Sequence, residues 1–252
     1  MSDARERFSN RVDNYVKHRP SYPAGVLDLL AAECGLDETA SIADVGSGTG
    51  ILTELLLARA GRVFAVEPNS AMREAAERRL GGHPAFASVA GSAEATTLPD
   101  ASVRLVTVAQ AFHWFDLAAT RREFARILEP GGSVALIWNV RDVDASPFMA
   151  EYEALLRTHG TDYEQVNHRG VGPAELDAFF GEGRHRLATF TNAQTFDAAG
   201  LEGRLLSASY VPAQGQPGYE HMLQALRDLF ARHHRDGRVE FVYATRVHSG
   251  GL

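Results

Sequence analysis

The chain has 252 residues, 45% hydrophobic and 23% charged, the balance of an ordinary globular protein. One core at this length buries roughly 70–75% of the unfolded surface, so no staple is needed, and a single cysteine, Cys34, excludes an internal disulfide or a multi-thiolate zinc site. A formal charge of −7 and the absence of a long apolar run argue against nucleic acid and membrane as partners.

In chain order, the opening MSDARERFSN is polar and charged and lacks the apolar stretch of a secretory signal, which points to a cytoplasmic location. Cys34, among Leu29, Leu30, Ala31 and Leu36, reads as a small packed hydrophobe. From residue 41 short β-branched runs alternate with helical patterns, the signature of βαβ units around a parallel sheet. Strands are expected at 41–45, 62–67, 85–90, 103–109 and 133–139, with helices at 51–60, 71–80 and 118–128. Gly61, Gly81-Gly82 and Pro130-Gly131-Gly132 supply the stops after those helices.

Beyond Asn139 the alternation breaks down. Ser146 caps, and Pro147 opens, a helix reaching His159; a shorter helix follows at 173–180. Residues 185–196 read as a strand, Asp197 caps a helix carrying Leu201, Leu205 and Leu206, and another helix covers 218–234. Residues 239–247 alternate with period two, as a half-exposed strand does. Pairing 185–196 with 238–248 gives a mostly parallel sheet an antiparallel C-terminal edge. The whole is expected to be a single α/β domain over 1–252. It divides into an N-terminal lid and helix (1–40), a ligand-binding core (41–140), a helical cap insertion (141–184) and a C-terminal edge with helices (185–252).

The most informative stretch is Asp44-Val45-Gly46-Ser47-Gly48-Thr49-Gly50. It follows a strand and opens a helix, where glycines let a ligand approach the backbone. A dinucleotide fingerprint needs a glycine at position 51, where Ile51 stands, and a phosphate loop needs a lysine that is absent. Asp44, a carboxylate two residues before the first glycine, would repel a pyrophosphate and suit an ammonium or sulfonium. Glu67 ends the second strand 17 residues beyond Gly50, where a carboxylate can accept both hydroxyls of a ribose.

With these residues the chain resembles the class I S-adenosylmethionine-dependent methyltransferases. Val66-Glu67-Pro68-Asn69, Gly91-Ser92-Ala93-Glu94 and Leu98-Pro99-Asp100 are similar to that family's next cofactor motifs. Gln110-Ala111-Phe112-His113-Trp114-Phe115-Asp116 resembles the segment after the fourth strand in the small-molecule, trans-aconitate methyltransferase-like group. Phe8 with 15–23, and 196–197 through 207–212, extend the resemblance over nearly the whole chain.

The resemblance implies a Rossmann-like doubly wound sheet with helices on both faces, and S-adenosyl-L-methionine as cofactor, released as S-adenosyl-L-homocysteine. It implies that Gly46, Ser47, Gly48 and Gly50 line the methionine and ribose, with Asp44 neighbouring the amino-acid end and Glu67 on the ribose. Pro68, Asn69 and Met72 would flank the adenine, with Ser92, Ala93 and Glu94 on its polar edge. Gln110 would approach the methionine group, and Tyr15 and Arg19 would close over the cofactor from the lid. Two positions depart from the family pattern: Ser92 and Arg104 stand where Asp is common.

Methyl transfer from a sulfonium needs an in-line nucleophile, a held donor and exclusion of water; positioning alone supplies roughly 7–11 kcal/mol in well-oriented systems. His113 is the candidate catalytic base, required for a hydroxyl but not for a carboxylate acceptor. Phe112 and Trp114 are expected to shape the pocket and steady the sulfonium, and Asn139, Arg141, Ser209 and Tyr210 to contribute to substrate binding. His168 and Arg169 with the cap helices are candidates for selecting the substrate. No H-E-x-x-H motif or cysteine cluster exists, so no metal is expected. The expected function is O-methylation of a carboxylate or hydroxyl on a small molecule, by a monomer or homodimer. The alternatives are a catalytically silent cofactor-binding module and, disfavoured by Ile51 and Asp44, an NAD-dependent oxidoreductase. RNA methylation is disfavoured by the net charge.

Overall fold

The computed structural model describes residues 17–161, 163 and 171–252. Phe8 and Tyr15 of the expected lid, and His168 and Arg169 of the insertion, lie outside the described residues.

After α1 (Ala24–Cys34), strands and helices alternate: β1 (Ser41–Val45), α2 (Ile51–Leu57), β2 (Arg62–Val66), α3 (Ser70–Leu80), β3 (Phe86–Val89), β4 (Val103–Ala109), a 3₁₀ turn (Phe112–Trp114), α4 (Leu117–Ile127) and β5 (Leu128–Arg141). There follow α5 (Pro147–His159), α6 (Pro173–Phe180), β6 (His185–Phe196), α7 (Ala198–Leu206), α8 (Tyr219–His233) and β7 (Val239–Gly250). The seven strands form one sheet in the order β3-β2-β1-β4-β5-β7-β6. The first five strands pair in parallel, while β7 runs antiparallel to both β5 and β6. The 185–196 and 238–248 pairing therefore forms as expected, with β6 outermost.

The composition of the strands explains their place. In β4, Val103, Leu105, Val106 and Val108 are all fully buried, which suits a strand covered on both faces. Leu105 packs with Val26, Leu30 and Leu56 on one side of the sheet, and Val106 with Phe124, Phe179 and Phe180 on the other. In β7 the alternation is real: Val239, Phe241, Tyr243 and Val247 are buried, while Glu240 and Arg246 are exposed. Within the segment after β5, α5 joins a third apolar cluster with α8 and Phe241, whereas α6 returns to the sheet face covered by α4. There Arg121 Nε donates to the Phe179 carbonyl at 2.7 Å.

Several boundaries differ from expectation. Strand β7 runs to Gly250. Pro130-Gly131-Gly132 does not separate α4 from the fifth strand; it lies inside β5, which begins at Leu128. The ladder absorbs it as a register shift, Val103 facing Leu128 while Leu105 faces Ser133, with Gly131 at φ 76°. Helix α2 ends at Leu57 instead of reaching residue 60. Cys34 is 2% exposed and packs in the apolar cluster with Val26, Leu30 and Leu36, and burial pushes its thiol up to about 11. Among the described residues no helix is long and apolar enough to cross a membrane.

Candidate functional site

The carboxyl ends of β1, β2, β4 and β5 lie along one edge of the sheet, and the glycine loop leaves β1 there. Gly46, Gly48 and Gly50 all have left-handed backbone, with φ of 68°, 56° and 81°. The Gly46 and Ser47 amides donate to the Val66 carbonyl at 2.9 and 3.2 Å, folding the loop against the end of β2. A Cβ on Gly46 would stand 2.6 Å from Ala111 Cβ, and one on Gly50 2.7 Å from Leu80 Cδ1. A Cβ on Gly48 would meet nothing within 4 Å. Gly48 thus presents bare backbone to open space. Ser47 Oγ and Thr49 Oγ1 are buried hydroxyls without a hydrogen-bond partner among the described residues. Buried polar atoms are nearly always satisfied, so this pair signals a polar ligand.

Asp44 is 1% exposed, and its two oxygens accept from Thr53 Oγ1 at 2.6 Å and Thr107 Oγ1 at 2.9 Å. These two hydrogen bonds clamp α2 and β4 beneath the loop. Burial pushes its carboxyl up to about 6, against the pull of the two hydroxyls. The ammonium group of S-adenosylhomocysteine favours an ionised Asp44, so affinity is expected to be constant above about pH 7 and to fall below about pH 6 as Asp44 takes up a proton. Calorimetry across that range checks this; Asp44→Asn should remove the fall between about pH 7 and pH 5.

Glu67 is 8% exposed and ties the loop to the next turn. Its Oε2 accepts from the Gly48 amide at 2.9 Å and its Oε1 from the Asn69 amide at 2.8 Å. Burial raises its pKa and the two amides oppose the rise. Each oxygen keeps a lone pair for a further donor. Asn69 caps α3 by accepting from the Met72 amide at 3.1 Å, Met72 is buried, and Pro68 is exposed. The Glu67 amide donates to the Val89 carbonyl at 3.0 Å, which sets the turn 91–94 alongside. In that turn Ser92 bridges to Ala95, Ala93 is buried, and Glu94 Oε1 accepts from the Asp116 amide at 3.0 Å.

Beside the loop, where α2 begins, lies a cavity of about 180 Å³. Its walls bring together Arg19, Gln110, His113, Trp114, Asn139, Arg141, Ser209 and Tyr210, all expected at the site from sequence, with Pro20, Tyr22, Ile51, Tyr163, Arg204 and Tyr243, which were not named as site residues. Gln110 follows β4 at φ 60°, an unusual conformation for a non-glycine residue. It is held there by its amide on the Ile137 carbonyl at 2.9 Å and its Nε2 on the Asn139 carbonyl at 3.3 Å. The His113 and Trp114 rings stand 4.9 Å apart. Phe112 is a correction: it is 3% exposed and packs edge-on to Phe179 at 4.8 Å, pointing into the core and not into the cavity. In the tight 3₁₀ turn, Phe112 and its two neighbours face different ways.

Residues 17–23 strap one side of this cavity. Arg19 Nη2 donates to the Ser207 carbonyl at 2.9 Å, and the Ser21 carbonyl accepts from Asn192 Nδ2 at 2.8 Å and Asn139 Nδ2 at 3.3 Å. Asn139 Oδ1 in turn accepts from Thr245 Oγ1 at 2.5 Å and Asn192 Nδ2 at 3.1 Å, so this residue is a hub as well as a wall. The His18 ring rests on Gly203 of α7: a Cβ there would fall 2.2 Å from His18 Nε2. Gly203→Ala is therefore expected to keep α7 helical but push the ring off, loosening the strap by about 1 kcal/mol. Faster proteolysis within 17–23 and a raised acceptor KM check this.

Across the cavity, Arg141 donates to Tyr210 Oη at 3.1 Å and to Tyr163, and pairs with Glu153 at 3.2 Å. Arg204, 3% exposed, donates to Tyr243 Oη at 3.0 Å. The sequence held a signal for both partners. Arg204 lies three residues after Leu201 on the apolar stripe of its helix, and Tyr243 falls on the inward beat of the β7 alternation.

A parallel sheet with one reversed strand, a glycine loop after β1 and an acid after β2 define a Rossmann-like, nucleoside-binding methyltransferase. Residues 43–136 match the methyltransferase domain model. An uncharacterized methyltransferase from Mycobacterium bovis is 34% identical over 226 residues, covering 90% of this chain and 86% of that protein. A structure described as a type II methyltransferase from Anaeromyxobacter dehalogenans superposes with a TM-score of 0.67 at 25% identity, covering 92% of this chain and 97% of the other. A geranyl diphosphate C-methyltransferase from Streptomyces coelicolor, holding S-adenosyl-L-homocysteine, shares the fold at a TM-score of 0.50 and 16% identity, over 91% and 76% of the two chains. The chain belongs to the class I methyltransferase family, and its cofactor is S-adenosylmethionine.

Proposed function

We propose that the protein methylates an oxygen, carboxylate or hydroxyl, of a small molecule in the cytoplasm. The observation that carries this reading is the 180 Å³ cavity beside the glycine loop, below the roughly 300–1,000 Å³ of drug-sized ligand sites. Gly46, Ser47, Gly48 and Gly50 hold the cofactor, whose sulfonium supplies a methyl group on an already activated leaving group. Glu67 accepts the ribose hydroxyls through its free lone pairs. Pro68, Met72, Ser92, Ala93 and Glu94 flank the purine, and Gln110 and Arg19 border the amino-acid part.

This chain's own work is to orient the acceptor and exclude water. Trp114 offers a π-face to positive charge. His113 takes the proton of a hydroxyl acceptor at a ring nitrogen; a carboxylate acceptor needs no base. Segments from the strap to β7 all contribute walls, which supports reading the whole chain as one catalytic domain. The test is formation of S-adenosylhomocysteine from S-adenosylmethionine over a panel of small acids and phenols. Turnover that depends on the acceptor is expected, and His113→Ala should lower kcat on phenols while sparing cofactor affinity. Loss of cofactor affinity in that variant would instead make His113 part of the cofactor wall.

A further inference from the structure

The cavity carries a charge pattern that methyl transfer does not itself require. Arg19, Arg141 and Arg204 line it and, among the described residues, no Asp or Glu does, in a chain whose acids outnumber its bases 32 to 25. Arg204 is the sharpest case. It is 3% exposed, yet its hydrogen bonds go only to neutral oxygens, Tyr243 Oη at 3.0 Å and Ser207 Oγ at 3.4 Å. Its other neighbours are the rings of Phe241 at 5.3 Å and Tyr243 at 6.0 Å. No carboxylate among the described residues pairs with it, whereas a buried guanidinium is ordinarily paired, and most of its five donors remain to be used. Arg141 is neutralised only in part, because Glu153 is shared with Arg157 at 3.6 Å. Tyr210 registers the resulting field: burial alone would raise its hydroxyl pKa, and Arg141, Arg204 and Arg19 together pull it below the ordinary value.

Resting on the methyl-transfer reading above, we propose that Arg204, assisted by Arg141, anchors a carboxylate of the acceptor, and that the atom methylated is a different one. The topology separates the two ends. Gln110 follows β4, Arg141 ends β5, and Tyr243, which orients Arg204, lies on β7; these strands are consecutive in the sheet. Neighbouring strands are about 4.8 Å apart, so the anchor and the Gln110–His113 end are within roughly 10 Å. The substrate class is a small bifunctional acid: a carboxylate for the bidentate guanidinium fork, and an oxygen at the far end to receive the methyl group.

The test is calorimetry on the full chain loaded with S-adenosylhomocysteine, using acids against their amides: 4-hydroxybenzoate with 4-hydroxybenzamide, and glutarate with glutaramide. The acids are expected to bind about tenfold or more tightly than the amides. Arg204→Gln should abolish that preference while leaving the S-adenosylhomocysteine Kd unchanged. Arg204→Lys, which keeps a buried cation, should retain part of it, and it decides the matter if the glutamine variant does not fold. Equal affinity for acid and amide, binding of neither, or a preference that survives loss of the guanidinium overturns the anchor. Failure of S-adenosylhomocysteine to bind the wild type would strike at the cofactor site instead, so the two failures are distinguishable.

Discussion

Glu67→Ala is expected to weaken S-adenosylhomocysteine binding by about 1–3 kcal/mol, roughly 5- to 150-fold. The side chain does two jobs at once. It receives the Gly48 and Asn69 amides, fixing the loop and the start of α3, and it offers its remaining lone pairs to a ribose. Truncation leaves both amides unmatched in a nearly buried setting and removes the ribose acceptor. Glu67→Gln keeps the shape but turns one acceptor into a donor facing an amide, so it should fall on the same side. Calorimetry reads the effect directly, and an unchanged Kd in the alanine variant would mean the ribose lies elsewhere.

Gly46→Ala should unfold the protein more readily, by about 2–4 kcal/mol, combining left-handed backbone strain with overpacking. The new methyl group would press on Ala111 at 2.6 Å and Phe115 at 3.2 Å, and both belong to the segment that carries His113. A chain of this size loses roughly 5–15 °C of Tm for such a change. Gly48→Ala supplies the contrast. Its methyl group meets open space, so the fold loses only about 1–2 kcal/mol of backbone preference, but the group projects from the loop where the cofactor binds. Tm should fall mainly in the first variant and cofactor affinity mainly in the second. The reverse pattern would contradict the orientation of the loop.

Much of the fold and of the site is legible in the amino-acid sequence, and the remainder is hidden for identifiable reasons. Periodicity and caps locate the strands and helices well: Ser146 and Pro147 open α5, and Asp197 caps α7 by accepting from the Gly200 amide at 2.7 Å. Local patterns do not locate partners far along the chain. The hydroxyls that donate to Asp44 come from Thr53 and Thr107, 9 and 63 residues away, so its clamping of α2 to β4 could not be read from local sequence. Phe112 and Trp114 are indistinguishable as sequence, since only the turn geometry decides which ring enters the core. Arg204 and Tyr243 carry a faint signal as polar residues on apolar stripes, but their meeting depends on β7 inserting between β5 and β6.

The central claim is that the glycine loop and Glu67 form an S-adenosylmethionine site. Calorimetric titration of the wild-type chain with S-adenosylhomocysteine, with NAD as control, tests it most directly. The account predicts micromolar binding of the first and none of the second; binding of NAD alone would contradict it.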